Sequence, residues 1–475
     1  MSTITVKHLI GGEWTGEPAR ERRNPARPSE VVAEIPAGGP GEVEAAVAAA
    51  QAAYPAWRKT PAPARGTILA RAAELLAARK DEVARDLTAE EGKTLAEATG
   101  EAQRAVDVLR FMSGEGWRLS GESLPSPTPN THVYTVKEPL GVVALITPWN
   151  FPIAIPSWKL APALVSGNCV VMKPAQLVPV SVQHLAQCLV EAGLPPGVLN
   201  VVHGSGTVVG EALVRDERVA AISFTGSVAT GLRINEIGSA RLARVQLEMG
   251  GKNALVVLED ADPAFAARIA AQGGFGLTGQ ACTATSRVIA TRAAHDGFVN
   301  ALRAEAAAWQ PGDGQLAETK MGPVVDESQL STDLSYLEIA RSEGAEVVAG
   351  GEVEDLFLRP SVLTGVGPTM RIAQEEIFGP VIGVIEVADI DEAIAVANDT
   401  QYGLSGGIVT NDLRAAMRFA DEAEVGVVKV NRPTTGVDPN APFGGVKRSS
   451  SGTFREQGSV AVDFYTRLKT VYIGT

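Results

Sequence analysis

Along residues 40–101 the apolar positions recur three and four apart, with Val43, Ala46, Val47 and Ala50 in one stretch and Leu69, Ala72, Leu75 and Leu76 in another. That spacing predicts alanine-rich amphipathic helices. Beyond Leu140 the pattern changes to short apolar runs bounded by Gly or Pro and alternating with helical segments, at residues 141–147, 169–172, 198–202 and 220–224. Uninterrupted apolar runs of this length, spaced by helices, predict a parallel sheet covered on both faces. A second series after Gly251 places strands at 254–258, 286–290, 381–386, 406–410 and 426–430, so two α/β domains are expected. The polar, Pro-rich segment 122–130 is a poor core candidate. Residues 461–473 alternate apolar and polar like an edge strand, of the kind that pairs with another subunit.

Composition narrows the field. The 475 residues suffice for two or three domains, and 45% apolar with 20% charged residues describes a folded chain rather than a disordered one. Asp and Glu (55) outnumber Lys and Arg (42), a net charge of -13, so neither nucleic acid nor an acidic membrane surface is an expected partner. The uncharged stretch 140–158 has the length of a membrane span. Pro148, Pro152 and Pro156 would leave its backbone unpaired in lipid, so a buried strand followed by a winding loop is expected. Cys169, Cys188 and Cys282 are too few for a disulfide framework. His8, His132, His184, His203 and His295 show no metal-ligand spacing, so no metal is expected. The N-terminal residues lack a signal-like apolar core, and the cytoplasm is the expected location.

Three segments carry candidate chemistry. Cys282 lies in Leu277-Thr278-Gly279-Gln280-Ala281-Cys282-Thr283-Ala284, small and polar residues that put a thiol on a tight turn before a strand. Such a thiol is either a nucleophile or a buried filler. The filler role suits Cys169, in an apolar strand, and Cys188, on an apolar helix face. Glu248, in Leu247-Glu248-Met249-Gly250-Gly251-Lys252-Asn253, is a carboxyl among apolar residues and a candidate general base, the alternative being a salt bridge with Lys252. Asn150, in Thr147-Pro148-Trp149-Asn150-Phe151-Pro152, offers a fixed amide to a developing oxyanion, or else bonds its own loop.

These segments, together with Lys173-Pro174-Ala175, Phe224-Thr225-Gly226-Ser227, Gly279-Gln280-Ala281-Cys282 and Glu375-Glu376-Ile377-Phe378-Gly379-Pro380, resemble the ordered motifs of the aldehyde dehydrogenase superfamily. The resemblance runs over nearly the whole chain and includes the 34-residue separation of Glu248 and Cys282. It implies an α/β aldehyde dehydrogenase fold. A Rossmann-like cofactor domain would take residues 1–119 and 140–250, an α/β catalytic domain 251–447, and a small β oligomerisation arm 120–139 and 460–475. That arm implies a homodimer or homotetramer.

The roles implied are a Cys282 thiolate that attacks an aldehyde and an oxyanion held by the Asn150 amide and the Cys282 backbone N–H. Glu248 would activate water to hydrolyse the thioester, giving a non-acylating, hydrolytic enzyme, and CoA-acylating members usually lack this carboxylate. Lys159 would support the charge and proton traffic of the site, or form a structural ion pair. A non-catalytic scaffold protein on the same fold would be expected to have lost Cys282, Glu248 or Asn150, and all three are present.

Lys173 would meet the adenosine ribose, Gly226, Ser227 and the helix start the pyrophosphate, and Glu376 with Phe378 the nicotinamide end. Ile146, Thr147, Trp149 and Gly250 would complete the cofactor contacts, while Gly204 and Gly206 are read as turn residues. Three positions after Lys173, where NAD-preferring members carry Glu, this chain has Gln176. A neutral amide does not repel a 2′-phosphate, so NADP is the expected cofactor, with NAD still open.

Within the superfamily the resemblance narrows to 2-oxoglutarate semialdehyde (2,5-dioxopentanoate) dehydrogenases of sugar-acid and hydroxyproline breakdown. It rests on residues 147–159, 282–287 and 431–438. Phe151, Trp158 and Phe443 would give an aromatic tunnel, with Ala281, Thr283 and Val437 beside them. Succinic semialdehyde dehydrogenases carry Arg where this chain has Trp158, which lowers the short-diacid reading. A broad aliphatic or aromatic (vanillin or benzaldehyde type) oxidiser is the main rival. Arg432 and Arg104 are candidates for a partner to the substrate carboxylate only because they lie near pocket-forming segments, and solvation at the surface is the expected fate of each.

Overall fold

A computed structural model describes residues 3–474. The first apolar series forms a seven-stranded sheet. Its strands are β1 (His8–Ile10), β2 (Glu13–Thr15), β3 (Val142–Ile146), β4 (Cys169–Lys173), β5 (Leu199–Val201), β6 (Val219–Thr225) and β7 (Arg244–Glu248), in the order β7-β6-β3-β4-β5-β1-β2. The strands from β7 to β5 are parallel, and β1 and β2 add an antiparallel edge. The second sheet comprises β8 (Asn253–Val257), β9 (Thr285–Thr291), β10 (Glu346–Ala349), β11 (Ser361–Thr364), β12 (Val381–Val387), β13 (Ser405–Val409) and β14 (Val427–Val430), ordered β10-β11-β12-β9-β8-β13-β14. Every expected central strand is present within a residue or two.

Alternation explains why both faces of the second sheet are covered. Val256 and Ile289 join one apolar cluster, while their neighbours Leu255, Val257, Val288 and Ala290 join another on the opposite face. Three helices bear on the site: α1 (Leu95–Arg118), α2 (Ala154–Val165) and α3 (Val228–Ala240). Helix α1 starts at a reciprocal cap, in which Thr94 and Glu97 satisfy each other's backbone N–H groups.

Two expectations are corrected. The stretch 140–158 is strand, a short loop and then helix: α2 begins at Ala154, and Pro156 is tolerated because it falls in the first turn, where its missing N–H would have had no partner. At the C-terminus residues Ala461–Phe464 are a helical turn rather than strand. Ala461, Val462 and Phe464 pack into the first core, and the strand proper is Thr466–Gly474. That strand pairs antiparallel with Thr131–Pro139, with Ser123–Leu124 on its other side, making a small projecting sheet. Among the described residues no helix is long and apolar enough to cross a membrane.

Asn168 ties these parts together. Fully buried, its side chain accepts from the Leu140 and Gly141 N–H groups (2.7 and 3.1 Å) and donates to the Ala163 and Tyr465 carbonyls (3.2 and 3.0 Å). Replacement by Leu strands three backbone groups, the Leu140 and Gly141 N–H and the Tyr465 carbonyl, at about 1 kcal/mol or more each, while the Ala163 carbonyl keeps the backbone N–H of residue 168. Asn168→Leu is expected to lose on the order of 3 kcal/mol in urea unfolding; a loss below about 0.5 kcal/mol would show that those groups find other partners.

Candidate active site

In the first sheet the chain leaves β3 toward β4 and β5 on one side and returns through β6 and β7 on the other. The crevice beyond the carboxyl ends of β3 and β6 is therefore the topological switch point, where open α/β sheets bind nucleotides. A cavity of about 300 Å³ lies there, lined by Trp149 from the loop after β3, by Thr225, Gly226 and Ser227 at the end of β6, and by Glu376 and Phe378 from the second sheet's side. Ser227 caps α3, its Oγ accepting from the Thr230 N–H, so a helix N-terminus faces this space. The buried Thr225 Oγ1 has no partner. An orphaned hydroxyl beside a capped helix start fits the phosphate and ribose oxygens of a dinucleotide.

Cys282 lines this cavity and also a second one, of about 340 Å³, on the other side of the Asn150 loop. The turn before it is tight: Leu277, Thr278 and Gly279 all have left-handed backbone, with φ of 54°, 57° and 68°. Asn253 holds the turn by donating to the Cys282 and Ala284 carbonyls at 2.8 and 2.9 Å. Asn150 Nδ2 donates to the Gln280 carbonyl at 2.9 Å, which ties the asparagine loop to the cysteine loop and leaves one amide hydrogen uncommitted. Burial, with Glu376 and Glu248 adding their charge, pushes the Cys282 thiol well above the ordinary cysteine value.

Behind the thiol lies a buried polar network. Lys159, fully buried on α2, donates to Ser223 Oγ at 2.8 Å and forms an ion pair with Glu456. Glu248 Oε1 accepts from Ser450 Oγ at 2.9 Å, and its Oε2 is buried without a partner. Burial, then repulsion from Glu456, holds the Glu248 carboxyl well above the usual carboxylate range.

The structure gathers most of the expected residues. Phe151, Trp158, Thr283, Val437 and Phe443 line the second cavity, and Trp158 and Phe443 have ring centroids 5.8 Å apart. Gly250 lines the nucleotide-side cavity, where any Cβ would meet the Glu376 carboxylate at 2.0 Å. Ile146, Thr147, Lys173 and Gln176 stand outside that lining, at and just beyond the paired ends of β3 and β4. Ala281 is corrected: it is buried among Gly279, Ala284 and Phe378 and lines neither large cavity. The Glu248–Lys252 salt bridge does not form, since Lys252 Nζ is buried without a partner. Arg104 is half-buried in the second cavity's lining instead of solvated, whereas Arg432 is exposed. Sequence reasoning passed over Lys93, Glu101, Glu456 and Gln457. A charged residue inside an alanine-rich helix, as at Glu101, was the one available signal.

A switch-point nucleotide cavity and an apolar cavity meeting at one cysteine define a thiol-dependent, nucleotide-using oxidoreductase. The comparisons specify it. The model of the aldehyde dehydrogenase family matches residues 14–471, and the chain belongs to that family. It is 53% identical to an alpha-ketoglutarate semialdehyde dehydrogenase of Haloferax volcanii, over 99% of both chains, and 47% identical to a 2,5-dioxopentanoate dehydrogenase of Saccharolobus solfataricus, over 95% of both. Among solved structures, betaine aldehyde dehydrogenase from Staphylococcus aureus in complex with NAD+ superposes with a TM-score of 0.96 at 34% identity, covering 99% of this chain and 95% of that one. The protein is an NAD(P)-dependent aldehyde dehydrogenase that works through a catalytic cysteine.

One expectation falls here. The family match and these relatives define an enzyme that acylates its own cysteine as a thioester, so its description as a non-acylating, hydrolytic enzyme is withdrawn. Glu248, the expected base for water, accepts from Ser450 Oγ through Oε1 and lies outside the lining of both cavities.

The raised thiol makes a pH prediction. In the enzyme without nucleotide the thiolate is scarce at neutral pH, so alkylation of Cys282 by iodoacetamide should accelerate about tenfold per pH unit from pH 7 to pH 9. A rate already level by pH 7 would show a depressed thiol and contradict this account.

Proposed function

We propose that the chain oxidises 2-oxoglutarate semialdehyde, with Cys282 as the nucleophile and NADP as the preferred cofactor. The observation that carries the nucleophile is the position of Cys282 in the linings of both cavities, whereas Cys169 and Cys188 are buried in the first core. The thiolate adds to the aldehyde carbon from the apolar side. The developing oxyanion takes hydrogen bonds from the free Asn150 amide N–H and the Cys282 backbone N–H. A nucleotide held in the first cavity would supply the hydride acceptor; the acyl thioester then left on Cys282 must be discharged to an acceptor nucleophile to restore the thiol for the next turnover. Thr225, Ser227 and the start of α3 would hold the pyrophosphate, and Glu376 and Phe378 the nicotinamide end. Phe378 is itself fixed edge-on to Trp149, with centroids 5.3 Å apart.

The substrate reading is supported by the two semialdehyde dehydrogenase relatives and by the Trp158–Phe443 wall. The NADP reading is supported by Gln176 and by Lys173, a buried ammonium that donates to the Pro174 carbonyl and that burial lowers to about 8. No carboxylate is paired with it among the described residues, so a 2′-phosphate would be its counter-ion. The three unpaired cysteines fit a reducing compartment, the cytoplasm. The projecting sheet, with Leu468 and Tyr472 exposed at 66% and 70%, fits an interface between copies in a homodimer or homotetramer.

Initial rates of nucleotide reduction test this reading. The expected order of kcat/KM is 2-oxoglutarate semialdehyde above succinic semialdehyde above benzaldehyde, with NADP above NAD; benzaldehyde with NAD at the top would overturn both assignments. Cys282→Ala should abolish nucleotide reduction yet still bind nucleotide by fluorescence titration, and Asn150→Ala should lower kcat by roughly a hundred- to a thousandfold. Gln176→Glu should move the NADP/NAD preference toward NAD by about tenfold or more, and an unmoved ratio would remove Gln176 from cofactor choice.

A further inference from the structure

The cavity on the aldehyde side of Cys282 carries three charged side chains in its lining: Glu97, Glu101 and Arg104. Both carboxylates are fully engaged by the protein. Glu97 accepts from Leu277 N at 2.7 Å and from Thr94, and Glu101 accepts from Ile153 N, Ala154 N and Lys93 Nζ at 3.0, 3.1 and 2.6 Å. Arg104 is different. It projects from α1 half-buried, its one side-chain hydrogen bond goes to Gln457 Oε1, and no carboxylate lies within ion-pair distance of it among the described residues. Its guanidinium thus retains unused donors toward the space that Cys282 also faces.

Gln457 adds an independent observation. It is 1% exposed, its backbone is left-handed at φ 58° although it is not glycine, and its Nε2 is buried with no acceptor. Gln457, itself held in the fold by burial, thus fixes one nitrogen of the Arg104 guanidinium and leaves its other donors for a ligand in the cavity. Lys429, which donates to the carbonyl of Gly436 in the same lining, adds positive charge nearby, while Asp438 and Asp107 act on Arg104 from beyond ion-pair distance.

We infer that Arg104, positioned by Gln457, binds the distal carboxylate of the substrate and selects acidic semialdehydes over uncharged aldehydes, an inference that rests on the function proposed above. The planar guanidinium matches a carboxylate in a forked pair of hydrogen bonds, while Phe151, Trp158 and Val437 cover the carbon chain. The position before Lys159, where short-diacid enzymes carry Arg, is filled here by Trp158, so this cation reaches the cavity from a different element.

The test measures kcat and KM for 2-oxoglutarate semialdehyde and for pentanal, an uncharged aldehyde of equal carbon number, in wild type, Arg104→Gln, Arg104→Lys and Gln457→Ala. Arg104→Gln should lower the ratio of kcat/KM for the acid to that for pentanal by about a hundredfold, chiefly by raising KM for the acid. Arg104→Lys should recover about a tenth of the wild-type ratio or more, because charge is kept and the fork is lost. Gln457→Ala should lower the ratio in the same direction but less. An Arg104→Gln enzyme that loses equally on both substrates, or whose ratio does not move, overturns the inference. If wild type prefers the acid and Arg104→Gln keeps that preference, only the role of Arg104 fails. If wild type itself prefers pentanal, the proposed substrate fails and this inference with it.

Discussion

The site depends on one buried ion pair, Lys93 with Glu101, at the start of α1. Burial alone would lower the Lys93 ammonium, yet Glu101 and Glu91 together hold it above the ordinary lysine value. Lys93 Nζ donates to the Asn150 carbonyl at 2.7 Å and lies 4.7 Å from the centre of the Phe151 ring. Glu101 meanwhile receives the first backbone N–H groups of α2, those of Ile153 and Ala154. The pair thereby fixes the asparagine loop from both ends. One turn earlier Glu97 caps its own helix and takes the Leu277 N–H of the cysteine loop. A single helix start thus sets the relative positions of Asn150 and Cys282. Breaking a fully buried pair from one side leaves a charge without compensation, which makes this junction rigid rather than adjustable.

Electrostatics divides the work around that junction. On the nucleotide side an open helix start and an unsatisfied hydroxyl favour anionic oxygen. On the other side Phe151, Trp158 and Phe443 stand in the wall, and the one charge there without an ion-pair or backbone partner is that of Arg104. Between them the thiol sits in surroundings that penalise its anion, with Glu376 raised to about 7 by burial and Glu248 also raised, by burial and by Glu456. Such a thiol becomes reactive only when something adds positive potential or drains negative charge. A cationic ring bound in the cavity that Glu376 and Phe378 line would do the first.

What the chain disclosed by inspection came from period and from local chemistry. The central strands were legible because they are short apolar runs buried on both faces, and the thiol's turn because Gly279 and its small polar neighbours mark one, though the left-handed backbone extends to Leu277 and Thr278, residue types that do not announce it. The strands of residues 4–36 were not legible. Pro18–Asn24 is mostly polar and exposed, and only pairing with Arg27–Pro36 makes it a strand. Residues 461–464 read as strand because alternation over so few positions cannot be told from one helical turn. Long-range pairs were beyond reach for a different reason. Arg104 and Gln457 lie 353 positions apart, and each looks like a solvated side chain until the fold sets them side by side. Lys159 and Glu456 are the same case, and so is the bond between Glu248 and Ser450.

The central claim is that chemistry passes through a covalent acyl group on the one cysteine that the two cavities share. The most direct measurement is an acid quench within a single turnover of enzyme with 2-oxoglutarate semialdehyde and NADP, followed by intact mass and peptide mapping. The account predicts the added acyl mass on the peptide that carries Cys282, with the peptides of Cys169 and Cys188 unmodified. An acyl group on either of those two, or full nucleotide reduction with no acyl adduct at any quench time, would contradict it.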